Sequence, residues 1–454
     1  MAGAVAIQLR RLPHLADTLP PLPLLAGAGA VLTGLTLVTP FAFETYGDNA
    51  FIALSVIAGL VTIVATRLAE RVPQASALWL IFGLAIALRV YVLLFDPLLS
   101  SDIYRYVWDG RVQAAGINPY RYFPADEALA ALRDATIFPH INRANFAVTI
   151  YPPVAQFFFL IVTRIGESVT VMRLALMGCE AVTVTLIMLL LRRMHRPVTR
   201  VIAYLWHPLP LWEIANSGHV DGLMVALMLL GLWIALTSHT LRGAVMIALA
   251  TLVKPLAAPV FAGIWRPWDI KMPLVVVAVI MLCYLPYLSV GWRVLGFLTQ
   301  GYLNEEGIRA GNDLWLLSLW RLVFGEHQGD VVVYASLAAL VLLLTGFSVA
   351  RRSDRSLAPT LTYINMLLLL ALLFVSPNYP WYFLVITPFT ALCGSPPTWV
   401  VSIGALFLSE QLDWDFYIPR MVSKSILFGG LLLAWALAAW RTRMQRAAKA
   451  GVSP

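Results

Sequence analysis

Runs of about twenty consecutive apolar residues recur from one end of the chain to the other, and no other feature constrains the fold as strongly. A helix rises about 1.5 Å per residue and the hydrocarbon core of a bilayer is about 30 Å thick, so each such run is long enough for one crossing. About twelve are read as spans: 22–42, 50–66, 76–96, 168–191, 198–215, 219–237, 271–290, 329–350, 357–375, 380–394, 396–411 and 420–440. The first follows Arg10 and Arg11, is long for a signal-peptide core and lacks a small-x-small cleavage site, so it reads as a retained helix. Of the 454 residues, 60% are apolar and 12% charged, whereas a soluble domain carries about 25% charged residues. That deficit excludes an ordinary water-soluble enzyme, a disordered protein and a nucleic-acid reader. The formal charge of +8 answers the basic bias of cytoplasmic loops and names no partner. Cys179, Cys283 and Cys393 stand in separate apolar stretches, which offers neither a disulfide framework nor a metal cluster.

Arginine and lysine in the short connections set the orientation. Arg10 and Arg11, Arg67 and Arg71, the 192–200 run, Arg242, Arg266 with Lys271, Arg351 with Arg352 and Arg355, and the tail Arg441, Arg443, Arg446 and Lys449 are all placed in the cytoplasm, with both termini. The polar segment 97–150 is then external. An odd number of crossings must separate it from 192–200, so 151–165, which opens Tyr151-Pro152-Pro153, is expected to lie along the outer leaflet without crossing. Parity fails again at 242–266, which is basic at both ends and broken by Lys254-Pro255. Proline interrupts the helix ladder, and a lysine at mid-membrane costs about 2.5–3.5 kcal/mol. A re-entrant hairpin with Lys254 near its outer apex satisfies both facts. The expected fold class is an all-α polytopic membrane protein: one domain over 1–454, with external loops at 97–150 and 291–328 and a hairpin at 242–266. The short run 313–325 is expected at the interface.

Four polar clusters fall on the external side. In 100–124, Asp102, Arg105, Tyr106 and Asp109 have i, i+3, i+4, i+7 spacing, which puts two carboxylates and a guanidinium on one helix face. The same residues also suit an ordinary helix start, with Ser101 as cap and Arg105 paired to an acid. The second cluster joins Glu213 and Asn216 to His219-x-Asp221; two such side chains do not make a metal site. The third, Asn304 to Asp313, carries Arg309 on a glycine-bearing loop suited to an anionic headgroup. The fourth is Ser376-Pro-Asn378-Tyr379-Pro380-Trp381-Tyr382, which also fits an interfacial aromatic belt.

Taken in order, Asp102 after a span, Tyr151-Pro152-Pro153, His219-x-Asp221, Lys254-Pro255 and Asn378-Tyr379-Pro380-Trp381-Tyr382 resemble the GT-C superfamily of integral-membrane glycosyltransferases. The likeness is to polyprenyl-phosphate-mannose-dependent mannosyltransferases of glycosyltransferase family 87 and runs over roughly 76–395. It implies a GT-C-like bundle with juxtamembrane helices in the large external loop. The implied activity is inverting transfer of a hexose, mannose by likeness, from a polyprenyl-phosphate donor to a hydroxyl of a lipid- or glycan-linked acceptor on the outer face of a bacterial cytoplasmic membrane. By position Asp102 matches the family's general base, and Asp109 remains a second candidate. Lys254 and Arg309, with Arg105 as a third, are expected to hold the donor phosphate. Tyr379, Trp381 and Tyr382 are expected along the isoprenoid or sugar, and His219 and Asp221 at sugar hydroxyls or acceptor. A monophosphate with these partners needs no divalent ion, so no cofactor and no metal are expected. A transporter or flippase of a lipid-linked sugar would account for intramembrane Lys254 and Arg321, and a glycan ligase shares external polar loops. Movement of sugar without a new glycosidic bond, or dependence on a pyrophosphate-carried glycan, would mark those alternatives.

Overall fold

The computed structural model describes residues 20–295, 307–409 and 420–449. Among these residues every regular element is helical, as expected for a polytopic α-bundle. Arg10, Arg11, Asn304, Glu305, Glu306 and the external segment expected at 412–419 lie outside the described residues.

Among the described residues eight helices are long and apolar enough to cross a bilayer: Pro21–Tyr46, Asp48–Ala69, Gln74–Leu93, Val169–Arg193, Lys271–Leu295, Asp330–Ala350, Leu357–Val375 and Arg420–Gln445. The remaining expected spans are interrupted. Pro208–Asn216 and Asp221–Thr237 meet at a bend of 117°, and Pro380–Leu392 and Pro396–Leu408 are shorter apolar helices. The two shorter helices each begin at a proline, Pro380 and Pro396, whose missing N–H and fixed φ suit a helix start, whereas the 117° bend turns at Gly218, whose φ is 70°. Pro153–Ile165 is short as expected, and so is Trp315–Phe324. The expected hairpin is two short helices, Thr240–Thr251 and Pro255–Ile264, parted at Leu252–Lys254. One boundary shifts: the 271–290 span runs on to Leu295 across a kink at Gly291, whose φ is 59°.

Buried ion pairs tie the spans together. Arg89 donates to both oxygens of Glu180 at 2.8 and 2.6 Å, and to the Leu205 carbonyl at 3.0 Å, joining Gln74–Leu93 to Val169–Arg193. The basic connections gather at one end: Arg200 lies 3.5 Å from Glu70, and Arg355 donates to the carbonyl of Trp265 at 3.1 Å. Helices that start at this end, Gln74–Leu93 and Leu357–Val375, lead at their other ends to Asp96–Asp102 and Ser376–Tyr382.

Helix Asp102–Ala114 lies flat against Pro153–Ile165, and Gly110 makes the approach possible. A Cβ there would stand 2.5 Å from the Phe159 carbonyl and 2.5 Å from Thr163 Cγ2. Gly110→Ala should therefore push the two helices apart and lower stability by about 1–3 kcal/mol, read as a lower melting temperature of the purified protein.

Candidate active site

A cavity of about 920 Å³ opens at the end of the bundle opposite the basic connections. Its polar wall comes from three stretches: Asp96–Asp102, His140 with Asn142 and Arg143, and Tyr151–Pro152. Val253–Leu256 at the hairpin break and Tyr379–Tyr382 close the sides. Leu342, Ala371 and Val375 form an apolar floor. Leu342 is twelve residues into Asp330–Ala350, about 18 Å along that helix, so the cavity reaches from a polar mouth to hydrocarbon depth.

Asp102 is the first residue of its helix, where the free amides and the helix dipole favour a carboxylate. The cap is Ser100, whose Oγ accepts from the Asp102 amide at 3.2 Å; Ser101 makes no side-chain cap. Asn142 Nδ2 donates to Asp102 Oδ1 at 2.7 Å and the Tyr151 hydroxyl donates to Oδ2 at 3.2 Å. Burial, and then the charge of Asp102, raise the Tyr151 phenol well above its ordinary pKa. It therefore keeps its proton and acts as donor. Two donors fix the carboxylate plane, and each oxygen retains a lone pair for the cavity.

Lys254 reaches the cavity because the hairpin breaks there. Pro255 supplies no N–H to continue the helix, and Lys254 is extended at φ −148°. The Leu252 carbonyl, left without a helical donor, accepts from Val154 at 3.2 Å and ties the break to the Pro153–Ile165 helix. Lys254 Nζ lies 2.6 Å from Asp221 Oδ2 and 4.6 Å from the Tyr382 ring centre. Tyr379 stacks on Trp381 at 4.4 Å, and Trp381 on His219 at 4.1 Å.

The other residues expected at the site are placed elsewhere, each for a physical reason. Asp109 and Arg105 do face the same way, but into protein. Arg105 Nε donates to Asp109 Oδ1 at 2.7 Å, Gln156 donates to Oδ2 at 3.0 Å, and neither Arg105 nor Asp109 lines the cavity. Both are at least 95% buried. His219 and Asp221 are fully buried behind the wall, where they back Trp381 and Lys254. Their turn is held by Gly218 at φ 70°, where a Cβ would come within 2.3 Å of Ile103, next to Asp102. Arg309 is exposed and does not line the cavity. Arg321 is held by both oxygens of Asp330 at 2.7 and 2.8 Å.

Arg143, Asn142 and His140 line the cavity without having been picked out from sequence. They lie some forty residues from Asp102 in an irregular loop, where no spacing rule points to them. Arg143 adopts φ 56°, a left-handed conformation that costs a residue with a Cβ about 1–2 kcal/mol. Such strain persists only where the surroundings impose it. Among the described residues no three His, Cys, Asp or Glu side chains gather as metal ligands.

A family model described as alpha-(1->6)-mannopyranosyltransferase, N-terminal domain, matches residues 24–268. That stretch holds Asp102, Arg143, Tyr151, Asp221 and Lys254. The chain is also 26% identical over 329 residues to alpha-(1->6)-mannopyranosyltransferase A of Mycobacterium tuberculosis, covering 64% of this chain and 61% of that relative. The match thus spans about three fifths of the relative's length. No solved structure matches the chain.

Proposed function

From a chain that belongs to the alpha-(1->6)-mannopyranosyltransferase family, and whose Asp102 faces a deep amphipathic cavity, we propose transfer of mannose from a polyprenyl-phosphate donor to a sugar hydroxyl, forming an α-(1→6) bond. The linkage follows the name of the mycobacterial relative. The observation that carries the reading is the make-up of the cavity: one oriented carboxylate and two cations, Lys254 and Arg143, at a mouth whose floor runs into hydrocarbon. A donor with a charged headgroup on a long apolar tail needs both parts. Its tail enters along Asp330–Ala350, a helix with only 6% of its apolar stretch buried in protein.

In the reaction the acceptor oxygen attacks the anomeric carbon of the donor while Asp102 takes its proton. The bond from that carbon to the phosphate oxygen breaks, and polyprenyl phosphate leaves with the electron pair. Lys254 and Arg143 meet the charge that develops on the leaving oxygen. Arg309 and Arg105, which do not line the cavity, have no part in this. A single displacement inverts the anomeric centre, so an α-linked product requires a β-linked mannosyl phosphate. Lys254 is placed by Asp221 and Trp381 by His219, which act from behind the wall. With two cations at the phosphate the reaction is proposed to need no metal.

The positive-inside bias puts the basic end in the cytoplasm with both termini, and the cavity on the outer face of a bacterial cytoplasmic membrane. The purified chain, given synthetic β-mannosyl-phosphoryl polyprenol carrying labelled mannose and a short mannoside, should label the mannoside in the presence of a chelator. A nucleotide-activated mannose alone should give no product; transfer from it, or loss of transfer on chelation, would contradict the proposal. Arg143→Gln should lower kcat/KM about 10- to 100-fold, the loss of one charged hydrogen bond to phosphate, measured by initial rates against donor concentration.

A further inference from the structure

A second concavity, of about 410 Å³, lies at the basic end of the bundle. There the loop before Lys271–Leu295 meets the loop between Asp330–Ala350 and Leu357–Val375. Four arginines wall it: Arg266 from the first loop, and Arg351, Arg352 and Arg355 from the second. Sidedness alone is satisfied by basic residues fanned into water, whereas these converge. Arg355 is used up on backbone, donating to the carbonyls of Trp265 at 3.1 Å, Gly263 at 3.4 Å, Arg352 at 3.2 Å and Ala350. It clamps the two loops together. Burial, and then the nearby charges of Arg266 and Arg352, pull Arg355 below the ordinary arginine pKa.

Arg352 lies 3.9 Å from the Tyr363 ring centre and gives Nε to Val349 at 3.2 Å and Nη2 to Thr360 at 3.3 Å. Its buried Nη1 has no hydrogen-bond partner, a costly state for a charged donor. Among the described residues no carboxylate forms an ion pair with any of the four. Asp354, the acid within the second loop, is near enough to feel the charge of Arg352 but accepts its hydrogen bonds from the amide and hydroxyl of Ser356 at 2.9 and 2.6 Å. Four converging guanidinium groups are thus left, among the described residues, without a carboxylate bound directly to any of them.

The surroundings of the concavity point to the anion that suits them. Trp268 stands on the rim, 91% exposed and at φ 75°, and tryptophan favours the headgroup level of a bilayer. The flanking helices Lys271–Leu295 and Asp330–Ala350 each have only 6% of their apolar stretch buried, so the concavity opens beside lipid. We propose that it binds the phosphate of an anionic phospholipid, with Arg266 and Arg351 taking the phosphate oxygens, Arg352 adding its charge from the wall and Trp268 beside the headgroup. Guanidinium forks suit a phosphodiester. A choline headgroup would bring its own cation among the arginines.

The full-length protein is reconstituted in phosphatidylcholine nanodiscs, in discs with added phosphatidylglycerol, and in phosphatidylcholine discs with inorganic phosphate in the buffer. Phosphatidylglycerol should raise the apparent melting temperature by about 3 °C or more, and phosphate should not. The double variant Arg266→Gln, Arg352→Gln should lose that rise. The shift is read within each protein, so a changed baseline in the variant does not obscure it. Equal melting in the two lipids, or an undiminished rise in the variant, overturns the site; an equal rise with inorganic phosphate overturns the lipid as its ligand.

Discussion

Asp102→Asn is expected to cut mannosyl transfer by about a hundred- to ten-thousand-fold, the usual contribution of a positioned general base, while the protein melts as before. The carboxamide matches the carboxylate in shape, and its oxygen still accepts a hydrogen bond from Asn142 or Tyr151, which hold Asp102 at 2.7 and 3.2 Å. What it loses is the capacity to take the acceptor's proton. The loss should appear in kcat, with donor KM little changed, because the variant leaves Lys254 and Arg143, the proposed partners of the phosphate, in place. Initial rates at saturating and limiting donor separate the two, and near-normal kcat in the variant would remove Asp102 as the base.

Asp109→Ala should do the reverse. Arg105 and Asp109 form a buried pair at 2.7 Å, and taking one partner from such a pair costs about 3–5 kcal/mol because the other charge is left stranded. Gln156, which also donates to Asp109, loses an acceptor. The variant should express poorly and melt well below the parent, yet each folded molecule should transfer mannose at the parent's rate. Thermal unfolding, with activity normalised to folded protein, checks both halves. A stable but inactive Asp109→Ala would mean that Asp109, not Asp102, takes the proton.

These two acids share one helix face in sequence, and their separation shows what spacing can and cannot reveal. Periodicity places residues on a face but not the boundary between cavity and core along that face. Asp102 at the helix start lines the cavity, whereas seven residues on Asp109 is packed against Pro153–Ile165. The same limit applies to His219 and Asp221, whose types suit ligand binding but which lie one layer back, under Trp381 and Lys254. Lys254 was legible because a lysine beside a proline in an apolar run has few places to go, and Tyr379–Tyr382 because aromatics collect at membrane boundaries. Arg143 and Asn142 were not, since an irregular loop brings them to Asp102 across some forty residues with no local signal.

The long spans were legible for a plain reason: helix rise and bilayer thickness fix their length. Parity of basic loops led to 151–165 and 242–266 being read as segments that do not cross, and both stretches hold only short helices, Pro153–Ile165 in one and Thr240–Thr251 with Pro255–Ile264 in the other. Prolines at 208, 380 and 396 were in view as well, but hydropathy averages over them. It cannot tell a continuous span from the short helices Pro380–Leu392 and Pro396–Leu408 or from the 117° bend before Asp221.

The most direct measurement is a density map of the purified protein with a non-transferable polyprenyl phosphonate analogue of mannose bound. The account places the phosphonate between Lys254 and Arg143, the lipid tail past Val375 and Leu342, and the anomeric carbon on the side of Asp102 with room for one acceptor hydroxyl between. A headgroup seated beside Arg309, or a sugar whose anomeric carbon faces away from Asp102, would contradict it.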